Sequence, residues 1–193
     1  MSVYINNDED IAKMRASGTL AAELLDYIGD FVKPGVTTNE LNQLCHDYQL
    51  NVQGTIPAPL GYGEPPFPKS ICTSVNHVIC HGIPDDKALK KGDMLNIDVT
   101  IIKDGYHGDS SRMFMVGEVS PHAQRLSKVT HECMMLGIEQ VKPGATLGDV
   151  AMRFKFMPRT MAIPSCKNSV GMVWARNSTA NHRFCTMANV GQA

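Results

Sequence analysis

No stretch of this 193-residue chain stays apolar for the roughly 20 residues that a membrane-spanning helix needs, which excludes a helical anchor within it. Met1 to Asp8 has neither the basic start nor the apolar run of a secretion signal, so the sequence predicts a chain that is not exported. The six cysteines contain no CxxC pair. Without export, they are expected to be reduced thiols in the cytoplasm. Neither sign of charge dominates, at 18 basic against 19 acidic residues, which excludes a strong general attraction to nucleic acid or to a membrane surface.

The sharpest absence is local. Residues 151–193 hold no acid at all, whereas residues 1–150 hold all 19 acids and 12 bases and are net −7. The last 43 residues carry six bases, five methionines and the only Trp. At the rate of the first 150 residues, about five acids would be expected there.

The length suits one domain, and an apolar content of 43% supplies a sizeable core. Ile11, Met14, Gly18, Ala21, Leu25 and Ile28 recur at helical spacing and predict a helix from Asp8 to Phe31, stopped by Lys33-Pro34-Gly35. Thr37 and Glu40 form a capping-box pattern for a second helix lined by Leu41, Leu44, Cys45 and Tyr48. Residues 54–70 read as a Gly- and Pro-rich loop, Ser70 to Ile79 as a strand, and Met94 to Ile102 and Tyr106 to Val116 as a hairpin. Pro121 to Gln140 reads as a third helix with Leu126, Val129, Cys133 and Leu136 inward. Val32-Lys33-Pro34-Gly35-Val36-Thr37 returns as Val141-Lys142-Pro143-Gly144-Ala145-Thr146, each copy between two helices. The repeat predicts two similar α+β halves.

The hairpin carries the clearest chemistry. With Asp104-Gly105 as a two-residue turn, Thr100 pairs with Asp109, and Asp98 lies diagonal to Asp109 on the same face. Their Cβ atoms should then be roughly 6–8 Å apart. Carboxylates so placed can converge on one ion, or on two ions about 3.5–4 Å apart. The alternative is two ordinary polar positions on the wet face of a half-buried sheet. His81, in Cys80-His81-Gly82-Ile83-Pro84, is expected at the end of a strand. There it is either structural or a hydrogen-bond donor to an oxyanion or a substrate amide. Cys72 and Cys80 lack a basic neighbour and read as small core residues rather than nucleophiles.

Tyr62, the run from Phe67 to Asp85, Lys91 to Thr100, and Gly105-Tyr106-His107-Gly108-Asp109 resemble type I methionine aminopeptidases in order and spacing. The resemblance covers residues 8 to about 150. It implies an α+β pita-bread fold of two similar halves, here the N-terminal half plus an incomplete second half. It implies removal of the initiator methionine from nascent proteins by water activated by two divalent metals (Co, Mn, Fe or Zn), held by two Asp, one His and two Glu. By position, Asp98 and Asp109 match the Asp ligands, with Asp109 bridging the metals. His81 matches the histidine that contacts the scissile peptide. Tyr62, Phe67 and Cys72 match the wall of the methionine pocket, and Phe67 stands where Tyr is common. The implied partners are Met-X peptides of nascent chains at the ribosome, with no membrane and no specific nucleic acid, for a cytoplasmic monomer.

Residues 151–193 contain neither the GHGxG-like and FHExP segments of that family nor its later Glu ligands. One base lost between the codons of Val150 and Ala151 explains this. In the restored frame every Met and Trp codon contributes a leading G, and the glycines forced by Met161, Met172, Trp174 and Met187 fall at glycines of the family pattern. One compatible reading contains GHGMG and FHGEP. The expectation is therefore a catalytic domain's N-terminal part over residues 1–150 and a poorly ordered out-of-frame tail over 151–193. Such a chain should be inactive as written. A non-catalytic pita-bread protein that binds partners is the alternative.

Overall fold

The computed structural model describes residues 5–151 and two short strands further on, Met172–Val173 and Cys185–Thr186. The expectation for residues 151–193 otherwise lies outside the described residues. Contacts divide the chain after Val119 into two units.

In the first unit, helix α1 spans Asp8–Gly29 and opens on a capping box between Asn7 and Asp10. Helix α2 spans Thr38–Asp47 and opens on the expected box between Thr37 and Glu40. It runs on into a π-helical segment, Tyr48–Gln53, which ends at the left-handed Gly54. Four strands follow: β1 (Ile56–Pro57), β2 (Cys72–Val75), β3 (Met94–Lys103) and β4 (Tyr106–Met115). All pairings are antiparallel. β4 lies along one edge of β3, while β1 and β2 share the other edge end to end.

β3 alternates. Leu95, Ile97, Val99 and Ile101 are fully buried and form one core with Ala21, Leu24, Leu25 and Ile28 of α1, Leu41 and Cys45 of α2, and Ile71, Leu89 and Val116. The even positions, Asn96, Asp98 and Thr100, point to the opposite face.

Helix α1 differs from expectation over its first half. Ile11 is exposed and Gly18 faces open space, and the buried positions are instead Asp10 and Ser17. The reason is polar docking. The Tyr106 hydroxyl donates to Asp10 (2.5 Å), and the Ser17 hydroxyl donates to the Tyr106 carbonyl (3.1 Å). The predicted strand Ser70–Ile79 is also shorter, ending at Val75, because Asn76 turns the chain with a left-handed φ of 53°.

The second unit contains helix α3 (Pro121–Ile138), capped by Ser120 and burying Val129 and Cys133. Leu126, expected inward, is exposed. After α3 the repeat is visible in three dimensions. The Ala145 amide donates to the Lys142 carbonyl as Val36 does to Lys33, Gly144 and Gly35 share a positive φ, and Thr146 with Asp149 makes the reciprocal cap that Thr37 makes with Glu40. Strands β5 (Met172–Val173) and β6 (Cys185–Thr186) pair antiparallel.

Candidate active site

The hairpin forms in the expected register. Asp104 and Gly105 both take positive φ, at 51° and 81°, the mirror-image turn that suits the right-handed twist of paired strands. Thr100 faces Asp109 and Asp98 faces Ser111, so the two carboxylates are diagonal neighbours on the face away from α1. Gly108 explains how β4 is seated. A Cβ there would overlap the Ser17 carbonyl, so only glycine lets α1 lie this close beside Asp109.

Burial, then the charge of Asp109, then hydrogen bonding with its side chain push the Asp98 carboxyl well above the ordinary carboxylate range. Two carboxylates placed side by side disfavour each other's charge, and the same oxygens would suit a divalent cation, which relieves that repulsion. Among the described residues, no group of three or more His, Cys, Asp and Glu side chains is arranged to hold a metal. What the described residues do bring together on this face is the pair of carboxyl groups, Asp98 and Asp109.

Cys72 lies directly opposite Asp98 on β2. Its thiol is pushed up to about 12 by burial and then by Asp98, Asp109 and Cys80, so it stays neutral and behaves as a small apolar wall. What holds the start of β2 is not announced by any sequence motif. The buried Asn42 of α2 accepts from the Ser70 amide (2.9 Å) and the Ile71 amide (3.3 Å), and His46 bonds the Ser70 hydroxyl at 2.7 Å. A polar residue on the inward stripe of α2 was the available signal.

Tyr62 and Phe67, both half-buried, close one loop on itself. The Phe67 amide donates to the Tyr62 carbonyl (2.7 Å) and the Gly61 amide to the Phe67 carbonyl (2.8 Å). His81 does not sit at a strand end as expected. It is exposed, with a φ of 54°, in a loop beyond Val75 that folds back along β2. The Gly82 carbonyl accepts from the Thr73 amide (2.8 Å), and the Gly82 amide donates to the Ser74 hydroxyl (3.2 Å). The structure thus gathers Cys72, Asp98 and Asp109, and carries His81 on a separate pinned loop.

The model of metallopeptidase family M24 matches residues 12–172. The chain belongs to metallopeptidase family M24. Within it, the chain is 59% identical over 150 residues to a methionine aminopeptidase of Rickettsia prowazekii, covering 78% of this chain and 57% of that protein. It is 52% identical over 151 residues to the Escherichia coli K12 methionine aminopeptidase, covering 78% and 56%. A crystal structure of the Rickettsia prowazekii enzyme superposes with a TM-score of 0.80 at 52% identity, covering 89% of this chain and 66% of that one. A Xaa-Pro dipeptidase from Bacillus anthracis shares the fold at 20% identity and a TM-score of 0.71. The fold is the α+β pita-bread fold of this M24 family, and the chain spans little more than half the length of the Rickettsia prowazekii and Escherichia coli K12 sequences it matches.

Proposed function

We propose that this chain carries the substrate-contact and carboxylate part of a hydrolase that removes the N-terminal methionine of new proteins. The observation behind the reading is the Asp98–Asp109 pair, two carboxyl groups set diagonally on one face of the hairpin. In this reading Asp98 and Asp109 would hold divalent cations, together with donors outside the described residues. Oxygen and nitrogen donors discriminate little among Co, Mn, Fe and Zn. A cation bound there supplies Lewis acidity, polarising the scissile carbonyl and lowering the pKa of water.

The chain's own residues then bind and orient. His81 donates a hydrogen bond to the scissile peptide. Tyr62, Phe67 and Cys72 wall the pocket for the methionine side chain, whose thioether favours aromatic edges and a neutral, uncharged lining. The substrates are Met-X termini of nascent chains at the ribosome, met in the cytoplasm by a monomer. In support of that compartment, Cys45, Cys72, Cys80 and Cys133 are free thiols.

Residues 151–193 are, in the same reading, an out-of-frame tail. The remaining His and Glu donors lie in the restored frame, and the 193-residue chain is inactive. Inserting one base between the codons of Val150 and Ala151, and assaying both products on a Met-Ala-Ser peptide with Mn²⁺, tests this. The expected result is methionine release by the restored chain, abolished by Asp98→Asn or Asp109→Asn, and only background from the 193-residue chain. Release by the 193-residue chain overturns the frame reading. A restored chain that leaves the peptide intact overturns the aminopeptidase reading.

A further inference from the structure

His81 occupies a conformation that a side-chain-bearing residue does not choose unaided. A φ of 54° places its Cβ against its own backbone, and only surrounding contacts keep such a residue there. The loop that carries it is fixed at both ends. At its far end Gly82 lies so close to β2 that a Cβ would overlap the Thr73 carbonyl.

At its near end stands Asn76, itself left-handed at 53°, a conformation that asparagine tolerates better than most residues. Its amide donates to the Met94 carbonyl (2.9 Å), its Oδ1 accepts from the Met94 amide (2.9 Å), and its Nδ2 donates to Asp93 Oδ1 (2.9 Å). The second oxygen of Asp93 accepts from the Lys90 amide (2.8 Å). Burial works to raise the Asp93 carboxyl. The hydrogen bonds from Asn76 and from the Lys90 amide, with the Lys90 and Lys87 charges, outweigh it and hold the group below its ordinary value. Asp93 is therefore a charged anchor immediately before β3, the strand that bears Asp98.

We propose that Asn76 is a positioning residue for His81: its bonds to Asp93 and Met94 fix the His81 loop against the start of the strand that carries Asp98. The proposal rests on the reading of His81 as the residue that meets the peptide. It explains why the chain leaves β2 at Asn76 rather than continuing to Ile79. Asn76 turns the backbone, and the link to Asp93 fixes where that turn lies along β3.

The test separates backbone tolerance from the side-chain link. Asn76→Gly keeps the turn and removes the link. Asn76→Asp keeps the turn and the acceptor for Met94, but sets a carboxylate against Asp93. Asn76→Asp combined with Asp93→Asn restores one amide and one carboxylate in exchanged positions. The readout is the strong intraresidue amide-to-Hα NOE that positive φ gives His81, followed in the 193-residue protein. Expected are loss of that NOE in both single variants and its return in the double variant. An unchanged NOE in the single variants, or a double variant that fails to restore it, overturns the proposal. The His81 reading is tested separately, by the affinity of a Met-initial peptide for His81→Ala in the frame-restored chain. An unchanged affinity would count against that reading while leaving the NOE result standing.

Discussion

The two faces of β3 are made by one ten-residue strand, yet they answer to different physics. Leu95, Ile97, Val99 and Ile101 are fully buried against α1 and α2, where shape and volume decide everything. Asn96, Asp98 and Thr100 look the other way, and there Asp98 is held in a state that costs stability, because burial and the neighbouring Asp109 disfavour its charge. The difference teaches that the helix face fixes the fold and so enforces a pairing on the other face that the fold alone would not select. The largest effect should accordingly come from the helix face. Ile97→Ala should lower the unfolding free energy by about 2–5 kcal/mol in denaturant titration. A loss no greater than that of Asp98→Asn would break the contrast.

Next is the seam where the helix face approaches the site. Gly108→Ala should destabilise by about 1–3 kcal/mol, since α1 or β4 must move to admit the methyl group. It should also weaken Mn²⁺ binding, because Asp109 is the next residue along β4. A variant as stable as the parent, with unchanged affinity, would mean that α1 yields freely and does not set the position of Asp109.

The alternation of β3, the Asp-Gly turn and the Thr37–Glu40 capping box were legible in the sequence because each depends on residues close together in the chain. The register that places Asp98 diagonal to Asp109 follows from the turn alone. What was not legible is long-range. The Asp10–Tyr106 and Ser17–Tyr106 contacts join residues some ninety positions apart, and they replace the expected apolar stripe of α1 with polar positions. The end of β2 is hidden in the sequence for a different reason. Asn76-His77 interrupts a run that otherwise alternates like a strand, and an asparagine's readiness to turn left-handed was outweighed there by the apolar pattern. Of the candidate site, the carboxylate pair could be read from the residues, whereas the Tyr62–Phe67 loop closure depends on backbone hydrogen bonds that no side-chain pattern announces.

The site face should also betray itself through pH. In the metal-free protein the folded-state carboxyl of Asp98 lies at about 7, raised from 3.8. A raised carboxyl binds its proton more tightly in the folded state than in the unfolded one. Its contribution is therefore favourable at low pH and is lost as the pH rises from about 4 to about 7. Relative to Asp98→Asn, the parent should lose on the order of 1–3 kcal/mol across that window, read from unfolding curves at several pH values. Saturating Mn²⁺ should flatten the difference by replacing the proton. A parent and variant that track each other through the window would place Asp98 in water, and the strand's second face would then be merely polar.

The smallest effect tests whether the helix face is as apolar in its energetics as its core suggests. Tyr106 lies on that face of β4, almost buried, and its hydroxyl bonds Asp10, which is 2% exposed. Tyr106→Phe keeps the ring and its packing but leaves one Asp10 oxygen without that donor, which should cost about 1–2 kcal/mol. Ser17→Ala removes the second polar tie of the same seam, the bond to the Tyr106 carbonyl. The two substitutions share Tyr106, so their effects should be less than additive in a double-mutant cycle. Mn²⁺ affinity should stay unchanged in both, because neither side chain reaches the face that carries Asp98. A loss of affinity in Tyr106→Phe as large as that in Gly108→Ala would show that the helix face transmits its polar contacts through the strand. The two faces of the sheet would then be one coupled unit.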